Sequence, residues 1–440
     1  METAKIANQT TSDGPWYAAM NRYHWWVLIV ASLGWLFDTM GQRIFVLARG
    51  PAIESLLPMG TPSAEIKFYS GLATAIFMLG WAFGGFYFGI MGDRWGRAKT
   101  MMITIVCYSG FTGLSGLSQH WWDFMIYRFL TGLGVGGEFA AGVTLVAEVM
   151  PDRARAHALG ILQTLSALGN IIASAMSFWV LPMGWRYMFL VGAFPALLVV
   201  PMFKRVKEPA TWQAMRAAVL AGEKKRMGSM EDLFRDRRWR KNTIIGLILA
   251  TSGVVGLWGI GFWTPELIRE ALRDVSPEAR NWYVSMGTML QDVGAFFGIY
   301  AFTVVTSRVG RRPAFVASFL LGFAATIFTF GWLRHPSDIF WMIPILGFCN
   351  LAVFGGYSIY FPELYPTRLR STGVGFCYNV GRVIAAPGPF TLGYLTLVFS
   401  NAGFGSPFRM AAIGLASIYL LGIFTMPFAP ETKGKPLPEE

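Results

Sequence analysis

The stretch Glu148-Val149-Met150-Pro151-Asp152-Arg153-Ala154-Arg155 returns 215 residues later as Glu363-Leu364-Tyr365-Pro366-Thr367-Arg368-Leu369-Arg370, with the glutamate, the proline and both arginines in register. A second pair repeats at almost the same offset. Gly92-Asp93-Arg94-Trp95-Gly96-Arg97 is echoed by Thr306-Ser307-Arg308-Val309-Gly310-Arg311, with Arg94 and Arg308 214 residues apart. Charged and helix-breaking positions matching this closely are poorly explained by chance. The chain therefore reads as one unit used twice, and the runs on either side of each motif say what that unit is made of.

Those runs are apolar. The residues AVILMFWYC make up 54 % of the 440-residue chain, 50 glycines come on top, and 14 % is Asp, Glu, Lys or Arg, against about 25 % charge in soluble domains. These figures exclude a water-soluble globule, a disordered chain and a disulfide scaffold. Cys107, Cys349 and Cys377 each lie inside an apolar run and read as small buried hydrophobes. A helix needs about 20 apolar residues to cross a hydrocarbon core of about 30 Å. Twelve stretches qualify: 25–48, 68–91, 100–118, 122–149, 156–180, 186–203, 242–264, 282–306, 313–333, 339–361, 371–398 and 408–428. Runs of this length are helices, since barrel strands would be short and alternating. The first is too long for the apolar region of a signal peptide and carries Asp38, so it is expected to stay in the mature chain. The prediction is an all-α membrane protein of twelve transmembrane helices in two six-helix bundles, 1–203 and 242–440, joined by a cytoplasmic linker at 204–241.

The charge balance is +12, from 37 Lys and Arg against 25 Asp and Glu. Its distribution orients the chain. With the amino terminus inside, the inner connections hold Arg94, Arg97 and Lys99, then Arg153 and Arg155, then Arg308, Arg311 and Arg312, then Arg368 and Arg370, whereas 265–281 outside mixes acids with arginines. The excess of cations on inner loops puts both termini in the cytoplasm of a cell-membrane protein. The 204–241 connection carries twelve Lys and Arg against five Asp and Glu and ends in Arg235-Asp236-Arg237-Arg238-Trp239-Arg240-Lys241. Such a run could anchor on phospholipid or bind nucleic acid, but the plainest reading is a solvated linker with a topology signal. No nucleic-acid partner is expected.

Ionisable side chains inside a bilayer are costly and mark candidate sites. Asp38 shares a helical face with Gly34 and Gln42 and is a candidate proton carrier, the alternative being a fixed ion pair with Arg128. Glu138 points off the stripe Arg128, Gly132, Gly136, Ala140, a smooth face suited to close helix contact. It is the candidate main proton acceptor, with Arg128 setting its protonation or that of Asp38. Arg382, preceded by Tyr378 and Asn379, carries a planar fork that binds a carboxylate through two parallel hydrogen bonds and keeps its charge. It is the candidate anion receptor, with a salt bridge to Asp292 as the alternative. Gln42, Gln163, Asn170, Gln291 and Asn350 complete a candidate lining with Ser166, Trp258 and Phe262, suited to a small acid with an apolar or aromatic body. Any single amide of this set is more often a helix-to-helix hydrogen bond.

The loop motifs read as mechanical parts. Asp93 can face the amino terminus of a helix from the other bundle, the eleventh span being the candidate, and be stabilised by its dipole. Arg94, Arg97, Arg153 and Arg155 can pair with Glu148, and Arg308, Arg311, Arg368 and Arg370 with Glu363. These gating contacts would hold an outward-facing state and break when the inside opens.

Gly89-x-x-x-Asp93-Arg94-x-Gly96-Arg97-x-Lys99 resembles the signature loop between the second and third helices of the major facilitator superfamily. Arg128-x-x-x-Gly132-x-Gly134-x-Gly136 resembles that superfamily's fourth-helix arginine motif. Lys207-Glu208-Pro209 and Pro430-Glu431-Thr432-Lys433-Gly434 are similar to tail motifs of its sugar and organic-ion branch. Asp38, Glu138 and Tyr378-Asn379-Val380-Gly381-Arg382 look most like the organic-anion:proton symporters of that branch. Gln42 stands where this group often has a second acid, and Ser307 where the second loop could carry an Asp. The seventh span lacks the glutamine pair of sugar porters, and the fifth lacks the Gly-Pro motif of antiporters. The resemblance implies proton-coupled import of a small organic anion by rocker-switch alternating access, with a carboxylate, protons and the lipid bilayer as partners and a monomer as the working unit. A facilitator or symporter of a neutral or cationic metabolite such as a sugar is the alternative. No enzyme, cofactor or metal site is expected: His24, His120, His157 and His335 are scattered, and neither a nucleotide loop nor a nucleophile elbow is present.

Overall fold

The computed structural model describes residues 14–385 and 388–439, and every regular element among them is a helix. The first half carries α1 (Arg22–Leu56), α2 (Ser63–Trp95), α3 (Arg97–Ser115), α4 (Trp121–Val149), α5 (Asp152–Val180) and α6 (Trp185–Phe203). Two short helices follow in the connection, α7 (Ala210–Leu220) and α8 (Met230–Arg235). The second half carries α9 (Arg237–Val255), α10 (Thr264–Ala271), α11 (Pro277–Val309), α12 (Arg311–Trp332), α13 (Pro336–Glu363), α14 (Arg370–Ala385), α15 (Gly388–Asn401), α16 (Pro407–Leu415) and α17 (Ile418–Thr425). Each apolar run read from the sequence falls on one of these helices or on a neighbouring pair. Among the described residues, seven helical stretches, on α2, α4, α5, α11, α12, α13 and α16 with α17, are long and apolar enough to cross a membrane by length and composition.

The repeat is legible in how the helices touch. A Cβ added to Gly80 or Gly84 of α2 would lie 2.0 Å from the Phe129 carbonyl oxygen or 1.9 Å from that of Leu133, so α2 and α4 approach to backbone contact. The equivalent residues 214 positions on, Gly294 and Gly298 of α11, stand 1.9 Å and 2.1 Å by the same measure from the carbonyls of Pro344 and Phe348 on α13. The bends match as well. Gly96 and Gly310 start α3 and α12 with φ of 119° and 101°, a conformation that side chains with a Cβ rarely adopt.

Helices α1 to α6 contact one another, as do α9 to α17, and the two groups meet mainly where α2 faces α14 and α5 faces α11. Small residues allow both approaches. A Cβ on Gly85 would strike the Asn379 side chain at 2.0 Å, and one on Gly160 would strike Thr303 Oγ1 at 2.0 Å.

Three features depart from the sequence reading, the simplest being that 408–428 divides into α16 and α17 at Ala416 and Ser417. The run 242–264 is not one helix: α9 passes into a π-helical turn over Gly256–Ile260 and a 3-10 turn over Gly261–Trp263 before α10, an interruption of a kind frequent at functional positions. The 204–241 connection is more than a solvated linker, because it is docked. Trp212 is buried and its Nε1 donates to the Asp93 carbonyl at 2.7 Å, while the Gly228 amide donates to the Arg368 carbonyl at 2.9 Å.

Candidate functional site

At mid-length of α1, Asp38 is fully buried. Gln42, one turn on, donates from Nε2 to Asp38 Oδ2 at 3.1 Å, and Oδ1 has no hydrogen-bond partner among the described residues. The cation that bears on this carboxylate is Arg382 of α14. Its guanidinium carbon sits 3.9 Å from the ring centre of Trp81 on α2 and 4.4 Å from that of Tyr378, held between two π faces. Tyr378 in turn stacks on Phe139 of α4, with centroids 3.8 Å apart. Arg382 Nε is buried without a hydrogen-bond partner among the described residues. Four helices thus converge around one cation that has hydrogen-bonding capacity to spare and that acts on Asp38 without an ion pair within 4 Å.

Glu138, which precedes Phe139 on α4, is fully buried, with neither carboxylate oxygen hydrogen-bonded among the described residues. It faces α1 and α3: a Cβ built on Gly34 would stand 2.7 Å from Glu138 Oε1, beside Met101 and Ile105. Asp38 is the like charge that bears on it.

Both alternative ion pairs expected from the sequence are replaced by others. Arg128 does not reach Asp38. It donates to Ser115 Oγ and to Thr131 Oγ1 (3.0 Å), and its guanidinium is ringed by Phe45, Phe124 and Phe189 with centroids at 5.4, 5.6 and 4.9 Å. Asp292 of α11 pairs with Arg43 of α1 at 2.5 Å instead of with Arg382. Arg43 also donates from Nε to Ser174 Oγ at 3.2 Å, and the Asn170 amide bonds Asp292. Arg43 is absent from the sequence-derived set; its signal was a second ionisable residue in the first run, five positions after Asp38. The pair ties α1 of the first half to α11 of the second.

The expected amides separate. Gln42 and Asn170 join the charged groups. Gln163 reaches Ser166 Oγ at 3.5 Å, leaving its Oε1 unpartnered among the described residues, and Gln291 Nε2 donates to the Gly261 carbonyl at 3.4 Å, beside the interruption after α9. Asn350 looks away from this centre, its Oδ1 placed 3.4 Å from a Cβ built on Gly322 of α12. Asn379 is wedged against Gly85, donating to the Gly375 carbonyl at 2.8 Å. The side chains of Trp258 and Phe262 lie outside the described residues.

A second cluster sits at the linker end of the helices. Asp93 of α2 accepts from the Ser371 amide (3.1 Å), the Thr372 amide (2.9 Å) and Thr372 Oγ1 (2.6 Å), so it caps α14, the helix end expected from the sequence. Arg97 forks onto Glu148 with two bonds of 3.0 Å, lies 3.1 Å from Asp93, and donates to the Thr367 carbonyl across the interface at 2.5 Å. Arg370 of α14 completes the triad, donating to Glu148 Oε1 at 2.5 Å. Its second-half counterpart is closed on itself: Arg311 forks onto Glu363 at 3.0 and 2.7 Å, and Thr432 Oγ1 donates to the same carboxylate at 2.6 Å.

Several arginines expected on the two glutamates go elsewhere. Arg94 reaches the Met227 and Gly228 carbonyls of the connection, Arg155 pairs with Asp152, Arg368 pairs with Asp232 at 2.5 Å, and the carbonyl of exposed Arg308 accepts from Lys433. Two acids complete the symmetry. Glu208 accepts from the amides of Arg97, Ala98 and Lys99 at 2.7, 3.2 and 3.0 Å, while Glu431 accepts from those of Arg311 and Arg312 at 3.0 Å each. Burial alone would raise the Glu431 carboxyl, but backbone amides of Arg311, Arg312, Lys433 and Thr432 hold it below the usual range.

A sequence model described as Major Facilitator Superfamily matches residues 52–389. A protein of Haemophilus influenzae described as a metabolite transport protein is 30 % identical over 424 residues, 95 % of this chain and 99 % of the relative. The cis,cis-muconate transport protein of Acinetobacter baylyi is 30 % identical over 369 residues, 83 % of this chain and 86 % of the relative. Other relatives carry the names of niacin, sialic acid and benzoate transporters. The solved structure of the proton:xylose symporter XylE with a bromodeoxyglucose superposes with a TM-score of 0.75 at 18 % identity, covering 94 % of this chain and 98 % of that one.

Proposed function

Because the chain belongs to the major facilitator superfamily, whose members are transporters, we propose that it imports a small organic anion together with a proton by rocker-switch alternating access. The observation that carries this reading is Arg382, set between Trp81 and Tyr378 with an unpartnered Nε and with Asp38 as its counter-charge. While Asp38 is ionised, it neutralises Arg382 and competes with any substrate carboxylate. Once Asp38 takes a proton from outside, the guanidinium is left without a counter-ion, and an anion that brings its own charge restores neutrality. Loss of the proton on the inside returns Asp38 as a competitor and expels the anion. Glu138, on which Asp38 bears as a like charge, is the other proton-carrying group.

In this reading the twelve apolar runs all span the membrane, the halves are 1–203 and 242–440, and both termini and the 204–241 connection lie in the cytoplasm. The linker-end cluster is then the cytoplasmic gate in its shut state. Asp93→Asn removes the charge at the start of α14 and offers an amide N–H to the Ser371 or Thr372 donors. Breaking a buried pair costs about 3–5 kcal/mol, so the shut state should be depleted and turnover should fall several-fold. Uptake rate, together with cysteine accessibility at the linker end, measures it; an unaltered rate removes Asp93 from gating.

The second reading is a facilitator or symporter of a neutral metabolite such as a sugar. The Asp38 counter-charge favours it if the Arg382 cation stays neutralised throughout the cycle. Uptake into proteoliposomes separates the two, using lactate, 4-hydroxybenzoate, nicotinate, sialate, cis,cis-muconate and a hexose, with the interior alkaline or matched to the outside. Accumulation of one acid only under the pH gradient is expected. Hexose uptake indifferent to the gradient would establish the facilitator.

A further inference from the structure

Where α9 and α17 lie side by side at the linker end, a groove of about 580 Å³ combines two chemistries that neither the transport site nor the gate uses. Arg237, Arg240 and Lys241 of α9 stand on its rim, and Ile244 and Ile248 carry the same helical face one and two turns deeper. Opposite them, Leu421, Phe424 and Phe428 are 44 %, 69 % and 66 % exposed. The three cations are exposed and have no side-chain hydrogen bond or ion pair among the described residues. Asp236, beside Arg237, is already engaged, accepting from the amides of Arg238 (2.8 Å) and Trp239 (3.3 Å) as the cap of α9, and of the acids that share a neighbouring cavity with Lys241, Glu363 is held by Arg311 and Glu431 by the Arg311 and Arg312 amides.

We propose that this groove binds an anionic phospholipid, with the phosphate against Arg237, Arg240 and Lys241 and an acyl chain along Ile244, Ile248 and Phe424. Ile248 lies seven positions beyond Lys241, roughly 10 Å along a helix axis, the drop from a headgroup to the upper part of its chains. A free phosphate would satisfy the rim and leave the aromatic wall bare, whereas a zwitterionic lipid would cover the wall and bring its own cation to an already cationic rim. Basic pockets between helices on the cytoplasmic side suit anionic headgroups for this reason. The site rests on the chain lying in a membrane with its connection inside, and on no assumption about the transported substrate.

The test uses the full-length protein in mild detergent, stripped of lipid and titrated with phosphatidylglycerol or with phosphatidylcholine of matched chains, with bound lipid read by native mass spectrometry. Phosphatidylglycerol should bind at a concentration about tenfold lower than phosphatidylcholine, and the R237Q/R240Q/K241Q variant should erase the difference. Size-exclusion profile and melting temperature report whether that variant folds. Photoreactive phosphatidylglycerol on the unaltered protein gives an independent answer, with adducts expected on peptides covering 237–248 and 421–428. Equal retention of the two lipids, undiminished phosphatidylglycerol binding in the folded variant, adducts confined to other helices, or displacement by free glycerol phosphate would each overturn the proposal. None of these readouts depends on transport, so a wrong substrate assignment leaves the answer intact.

Discussion

Substituting lysine for Arg382 is expected to weaken binding of the anionic substrate roughly 10- to 100-fold, the equivalent of one charged hydrogen bond at about 1.5–3 kcal/mol, with the protein still folded and inserted. The charge survives this change, so Asp38 keeps a counter-ion and the centre stays neutral. What is lost is the fork. Arg382 presents a planar guanidinium between the rings of Trp81 and Tyr378 at 3.9 and 4.4 Å, which fixes the plane in which a carboxylate can meet two N–H groups at once. An ammonium on a flexible stem offers a point charge with no preferred plane. Because Tyr378 also stacks on Phe139 of the other half, the orientation of the fork is tied to contact between the halves, and the loss should appear as raised KM more than as lowered maximal rate. Competition by a panel of acids measures it. An unchanged apparent affinity would remove Arg382 from recognition and favour the sugar reading.

The parts of the architecture that follow local rules are legible in the sequence. Gly96 and Gly310 recur because each helix end needs a positive φ that glycine supplies, and Asp93 finds its place because a carboxylate is stabilised at a helix amino terminus wherever that terminus comes from. The partner choices were not readable in the same way. A sequence fixes how deep a residue lies along its helix and leaves open how one bundle is rotated against the other. Asp292 could have met Arg382, and only the placement of α1 against α11 decides that it takes Arg43. Arg128 shows the same gap, since its cage of Phe45, Phe124 and Phe189 comes from three helices and its hydrogen bonds from Ser115 and Thr131. Charge density misled at 204–241, where one buried tryptophan, Trp212, was a better guide to docking than the many lysines and arginines around it. Glu148 combines both cases: its bond to Arg97 stays within one half and was expected, while its bond to Arg370 crosses to the other.

Neutralising the two buried acids should separate binding from coupling. Asp38→Asn is expected to abolish accumulation under a pH gradient while leaving exchange of internal for external substrate, because asparagine resembles the protonated acid and can no longer return as a competitor for Arg382. Substrate affinity in this variant should lose its dependence on pH, and at alkaline pH it should exceed that of the unaltered protein. Glu138→Gln should also abolish accumulation and retain exchange, but with affinity still dependent on pH. The difference follows from what each carboxylate touches. Asp38 lies in the field of Arg382, whereas Glu138 faces Gly34, Met101 and Ile105 and has Asp38 as the charge that bears on it. Two buried carboxylates that act on one another are ionised together only at high cost, so fixing either as neutral removes an alternation on which the cycle depends. Counterflow with labelled substrate, run beside gradient-driven uptake at several external pH values, reads both quantities. Accumulation surviving in both variants would dismiss these acids as the proton path, and loss of exchange along with accumulation would make them parts of the fold.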